Sequence, residues 1–217
     1  MKYARYLKDK QRRETWEEIV DRNKEMHIKK NPDIAKELEW AYSYVYDKKV
    51  LPSMRSLQFA GKAIEVNPSR IYNCSGLSMD HTDSMSETMF LLLGGSGVGF
   101  SVIPEYISKL PTILKPLEES RRFLVADSIE GWAEAVKVLI ESYTLRKARV
   151  AFDFSEIRAK GSELVTAGGK APGPDPLKEC LNSIRKVLNR AAGRRLTALE
   201  VHDIECYIAD AVMAGGK

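Results

Sequence analysis

Between Glu14 and Lys48, apolar residues recur at helical spacing in a background of Glu, Lys and Ala: Trp16, Ile19 and Val20, then Ile34, Leu38, Trp40, Ala41 and Val45. The spacing predicts two amphipathic helices broken at Asn31-Pro32, with Asn31 as N-cap and Pro32 in the first turn. From Val50 to Met79 the period is lost, and Pro52, Gly61, Pro68 and Gly76 punctuate a stretch expected to be strand and turn. A short strand is expected within RIYNCSGLSM. Asp83-Ser84 opens the next helix, with Ser84 and Glu87 as a Ser-x-x-Glu capping box and a stop at Gly94-Gly95. A strand from Val98 to Ile103 comes next, then a loop bracketed by Pro104 and Pro111. Asp127-Ser128 caps a helix over Ile129 to Tyr143 that places Trp132, Val136, Leu139 and Ile140 on one face. Val150 to Phe154 reads as a strand, Arg158 to Pro176 as an irregular loop, and Leu177–Ala191 and Ala198–Ala214 as two closing helices. Strands alternating with helices predict an α/β protein, with the leading helices, residues 1–49, as a small separate lobe before residues 50–217.

Charge narrows the partners. The 34 basic residues are interspersed with 30 acidic ones, and a net charge of +4 is too mild for a nucleic-acid surface, so an anionic small molecule is the better-supported ligand. The N-terminus lacks the apolar core of a secretory signal, and the longest apolar run, Met89 to Leu93, is too short to span a bilayer. A cytoplasmic location is the expectation, with neither membrane nor nucleic acid as partner. Cys74, Cys180 and Cys206 have no metal-type spacing and no even count for a disulfide scaffold.

Three features carry candidate chemistry. Gly94 to Val102, GGSGVGFSV, leaves backbone amides free to approach a phosphate or sugar, although glycines between helix and strand also serve simple packing. It is neither a Rossmann fingerprint, having no preceding strand, nor a Walker loop, having no Gly-Lys-Ser/Thr. Cys74 in Tyr-Asn-Cys-Ser-Gly reads either as a small buried hydrophobe or, on a strand beside that glycine loop, as a working thiol. Cys180 and Cys206, at helical positions among apolar neighbours, are assigned to packing. The loop from Arg158 to Pro176 carries Lys160, Lys170, Gly161, Gly168 and Gly169, and is either a solvated crossover or a segment that reshapes around a nucleotide. His81 and His202 lack companions at metal-ligand spacing, and no metal site is expected.

In combination, LPSMRSLQFAG, YNCSGLSM, GGSGVGFSVIPEYISKLP, DSIEGWAEAVKVL, FDFSEIRAKGSELVTAGGKAPGPDPL and LTALEVHDIECYIADAVMAGG resemble the N-terminal half of a ribonucleotide reductase large subunit. The resemblance runs from about Val50 onward, and the KLP, EGW and HDI segments are most similar to the adenosylcobalamin-dependent class. It implies an N-terminal helical lobe and the first half of a ten-stranded α/β barrel. It also implies an enzyme that makes deoxyribonucleotides for DNA replication by thiyl-radical chemistry, with Cys74 as one member of the redox pair.

By the same resemblance, Ser53, Met54, Asn73, Ser96 and Gly97 contact the ribonucleotide. Asp83, Ser84 and Met85 bind a dNTP or ATP effector, and Arg158, Lys160 and Gly161 belong to the loop that relays effector identity to the substrate base. The motif of the thiyl cysteine, the second redox cysteine and the C-terminal phosphate-binding turn have no counterpart in this sequence, so a C-terminal reductase fragment is the implied partner. A thioredoxin-type reductant and adenosylcobalamin, held mostly by residues outside this chain, complete the expected set. The segment after Lys109-Leu110-Pro111 is read as lacking a large insertion, and a homodimer through Ser84–Leu93 is expected for that reason. The alternative is a nucleotide-binding regulatory or non-catalytic fragment.

Overall fold

The computed structural model of the protein describes residues 3–164 and 169–213. The chain divides into two units, Met1–Asn73 and Cys74–Lys217.

The first unit opens with an antiparallel pair, β1 (Tyr6–Leu7) and β2 (Arg12–Arg13), and continues through α1 (Trp16–Lys30), a 3-10 turn (Pro32–Ile34) and α2 (Ala35–Tyr46). Then come α3 (Met54–Phe59), α4 (Lys62–Val66) and a second 3-10 turn at Pro68–Ile71, where strand and turn were expected. These helices are too short to show a hydrophobic period. The capping box lies at Thr15, whose hydroxyl accepts from Glu18 N at 3.3 Å while the Glu18 carboxylate accepts from Thr15 N at 2.8 Å. Asn31 ends α1, where both its backbone N–H and its side-chain amide donate back to the His27 carbonyl, and it also stands at the N-cap position before Pro32 without a side-chain cap bond. Buried Asn23 ties three helices together: it accepts from Tyr42 Oη at 2.5 Å and donates to Ser56 Oγ at 2.7 Å. Arg5 and Arg22 both donate to the Ala60 carbonyl. These bonds hold residues 54–60 to the leading segment, within the unit that ends at Asn73.

The second unit contains two β-α-β crossovers. In the first, β3 (Cys74–Ser78), α5 (Ser84–Leu93) and β4 (Gly97–Ser101) form a parallel pair joined by a helix. A one-turn helix, α6 (Pro104–Ile107), occupies the expected loop. In the second crossover, β5 (Leu117–Leu124), α7 (Ile129–Thr144) and β6 (Ala148–Asp153) repeat the arrangement. The two closing helices are α8 (Asp175–Ala191) and α9 (Ala198–Met213).

Ser128 caps α7 as its sequence suggests, accepting from Gly131 N at 3.0 Å. At α5 the capping box is absent: the helix begins at Ser84, whose hydroxyl donates to the Ser78 carbonyl at 2.9 Å. The core is helical, with Met85 and Met89 of α5, Val136 and Leu139 of α7, Leu181 and Ile184 of α8 and Ile204 and Ile208 of α9 in one cluster.

Candidate functional site

The register of the first parallel pair decides what lies beside the thiol. Cys74 is opposite Gly97, Gly76 opposite Gly99, and Ser78 opposite Ser101. Alternation puts these six residues on one face, while Leu77 and Phe100 of the other face pack onto the core. The outer face therefore carries one thiol, two hydroxyls and bare backbone. Packing does not impose the small residues there, because a Cβ added at Gly76 would meet nothing within 4 Å. Cys74 itself is exposed. Such a surface lets a flat polar ring lie against main chain with a thiol at its margin.

The turn before β4 is made by Gly95, at φ +92°, a conformation costly for other residues. Ser96 is 2% exposed and its N–H donates to the Leu91 carbonyl, so at this turn the accessible group is the Gly97 backbone.

The remaining residues implied to touch substrate lie in the first unit, where Arg55 holds one of them, Asn73. Its Nε donates to Asn73 Oδ1 at 2.6 Å, and its guanidinium sits 5.4 Å from the Phe59 ring centroid. Ser53 is the N-cap of α3, without a side-chain cap bond. Met54 is 61% exposed, and its sulfur accepts from Tyr3 Oη.

Of the residues implied for the effector, Asp83 reaches Lys137 of α7 at 3.1 Å, whereas Ser84 and Met85 are 0% and 1% exposed. Their side chains belong to the core, which leaves Asp83 as the available side chain of the three. Arg158 forms a 2.6 Å ion pair with Asp127, just before the Ser128 cap. The two implied regions thus both engage α7 or its cap, through Lys137 and Asp127. Lys137 was not singled out from sequence and Asp127 only as part of the helix cap, although both lie in the DSIEGWAEAVKVL segment.

The described residues of the loop form more backbone bonds than its composition suggests. Gly161 N donates to the Ala171 carbonyl, Ala171 N to the Ser162 carbonyl, and Glu163 bridges Lys170 in antiparallel register. Gly173, at φ +78°, brings the backbone so close that a Cβ there would lie 3.0 Å from Lys160 N. Gly168 falls outside the described residues.

Burial pushes the Cys180 thiol up to about 12, consistent with packing alone. Cys206, expected among apolar neighbours, is instead exposed on α9, with its sulfur 3.6 Å from His202 Nδ1. Partial burial and the carboxylates of Asp203, Asp210 and Glu205 raise its pKa and disfavour the thiolate. Of the ten residues of α5, only Glu87 is exposed, and α7 and α9 pack on the helix.

Known proteins resemble this chain. The family model described as "B12-dependent ribonucleotide reductase, insertion domain" matches residues 112–188, the stretch that holds β5, α7, β6 and most of α8. That match begins directly after Lys109-Leu110-Pro111. The adenosylcobalamin-dependent ribonucleoside-triphosphate reductase of Lactobacillus gasseri is 29% identical over 98% of this chain and 38% of its own length. Its counterpart in Lactobacillus leichmannii is 27% identical with the same coverage. The chain thus spans less than two fifths of the relatives it matches. A crystal structure of a B12-dependent (class II) ribonucleotide reductase superposes with a TM-score of 0.84 at 27% identity, covering 97% of this chain and 39% of that one. In sequence and in fold, over nearly its whole length, this chain corresponds to the N-terminal part of a class II, adenosylcobalamin-dependent ribonucleotide reductase.

Proposed function

We infer that this chain supplies one wall of the substrate site and one redox cysteine to an adenosylcobalamin-dependent ribonucleoside-triphosphate reductase. The observation that carries the reading is the exposed Cys74 paired with Gly97 on a face otherwise made of glycine and serine. A ribose lying on that face brings its 2′-carbon next to the thiol. Reduction replaces the 2′-hydroxyl by hydrogen and releases water, while two thiols, Cys74 and one on the remainder of the enzyme, supply two electrons and close to a disulfide. An external dithiol of the thioredoxin type then reopens it.

Adenosylcobalamin supplies the radical that starts such a reaction. The cofactor is assigned to residues of the enzyme outside this chain. A dNTP effector is assigned to Asp83, with the Arg158–Ser162 segment as the relay: both are tied to α7 or its cap by ion pairs that an anionic ligand would rearrange. The working location is the cytoplasm, where thiols stay reduced.

Reconstitution tests the reading. Mixed with the polypeptide carrying the rest of the barrel, a ribonucleoside triphosphate, a dithiol and adenosylcobalamin, this chain should yield deoxyribonucleotide, and either polypeptide alone should yield none. Nucleotide binding without reduction in the mixture would favour a purely regulatory role.

A further inference from the structure

Helix α9 presents ligand-bearing side chains along one outer stripe. His202, Cys206 and Asp210 follow one another at four-residue spacing and are all exposed, while Val201, Ile204 and Ile208 form the buried face. His202 Nδ1 and Cys206 Sγ lie 3.6 Å apart. A tetrahedral zinc ion, with Zn–N of about 2.0–2.1 Å and Zn–S of about 2.3 Å, holds two such donor atoms about 3.5–3.6 Å from each other. The pair is therefore set at the bite of a metal without any movement of the backbone.

Two further features favour a cation here. The His202 ring lies against Phe100 of β4, with centroids 5.6 Å apart at an interplanar angle of 58°, which restricts rotation of the imidazole. The carboxylates of Asp203 and Asp210 surround the sulfur, and α9 carries no lysine or arginine to oppose them.

We propose that His202 and Cys206 form a bidentate site for a borderline-soft divalent cation of the zinc type. His202 ligates through Nδ1 of the neutral ring, with its proton on Nε2, and Cys206 ligates as thiolate, its proton passing to solvent. One nitrogen and one sulfur donor select zinc over magnesium or calcium, which take oxygen ligands. Among the described residues no group of three His, Cys, Asp or Glu side chains is disposed to hold a metal. Water accordingly completes the coordination sphere, and the cation exchanges, unlike one in a closed structural site. Chelation across one turn of α9 also stabilises the folded second unit, because the unfolded chain does not hold the two donors at this spacing. The proposal does not depend on the reductase reading.

Cobalt(II) is the probe, titrated into the full chain carrying Cys74→Ser so that the other exposed thiol cannot contribute. A single equivalent should produce a thiolate-to-cobalt charge-transfer band in the near ultraviolet, and zinc(II) should displace it. Cys206→Ser in the same background should abolish the band. His202→Ala keeps the thiol and should weaken binding by about tenfold or more. Zinc should raise the melting temperature of the Cys74→Ser chain and not that of the two further variants. The band reports ligation directly, whatever either substitution does to stability. No band, a band that survives Cys206→Ser, or unchanged affinity in His202→Ala overturns the site.

Discussion

Gly131→Ala is expected to destabilise the second unit by ~2–4 kcal/mol, because a Cβ at that position would lie 2.3 Å from the Ala126 carbonyl oxygen and 2.9 Å from its carbon. The obstacle is backbone, not the end of a flexible side chain, so relief requires the connection from β5 into α7 to move. That connection carries both the Ser128 cap of Gly131 N and the Asp127–Arg158 ion pair. The substitution should therefore lower the melting temperature and also loosen the segment around Arg158, readable as faster exchange of the Gly161 and Ala171 amides, which now donate across the loop. A fully stable variant with unchanged exchange would show that the tight turn has no such role. In isolated helices alanine stabilises relative to glycine, so the sign of the effect separates the steric account from simple propensity.

The second large effect concerns Glu205. It lies on α9, 1% exposed, and neither carboxyl oxygen has a hydrogen-bond partner among the described residues. The nearby Thr88 hydroxyl, which opposes the shift only in part, donates to the Ser84 carbonyl at 3.0 Å. Burial pushes the Glu205 carboxyl up to about 8. In the unfolded chain the same group ionises near its ordinary value of 4.5. Between those two values the folded state binds the proton that the unfolded state has lost, so stability must fall as pH rises through that window and level off above about 8. Glu205→Gln abolishes this slope and should raise stability at pH 8 by ~2–4 kcal/mol, with little change at pH 4. Denaturant titrations of both proteins across pH 4–9 measure it, and parallel stability curves would refute the buried neutral acid.

Much of the second unit was legible because its helices repeat apolar residues over several turns. Trp132, Val136, Leu139 and Ile140 define α7, and Ser128 caps it. β5 was missed because LEESRRFL leaves nearly all its side chains exposed and shows no alternation. The short helix α3, of six residues, and its C-cap Ala60 are held by Asn23, Arg5 and Arg22 from elsewhere in the sequence, a dependence that no local window contains. A glutamate on an amphipathic helix reads as a solvent residue, which is why Glu205 drew no notice.

At the candidate site, the residue types around Cys74 were readable, but their alignment was not. Only the parallel register puts Gly97 beside the thiol and clears the face around it. The effector residues show the opposite limit, since resemblance assigned Ser84 and Met85 by position while packing withdraws both side chains into the core.

The most direct test of the central claim is the fate of the three cysteines after a single turnover. The reconstituted enzyme, prereduced and freed of external dithiol, is given one equivalent of ribonucleoside triphosphate, quenched, alkylated and mapped by mass spectrometry. Cys74 alone among the three should become resistant to alkylation, in a disulfide with a cysteine of the partner polypeptide, while Cys180 and Cys206 remain thiols. Formation of deoxyribonucleotide with Cys74 still fully alkylated would contradict that claim.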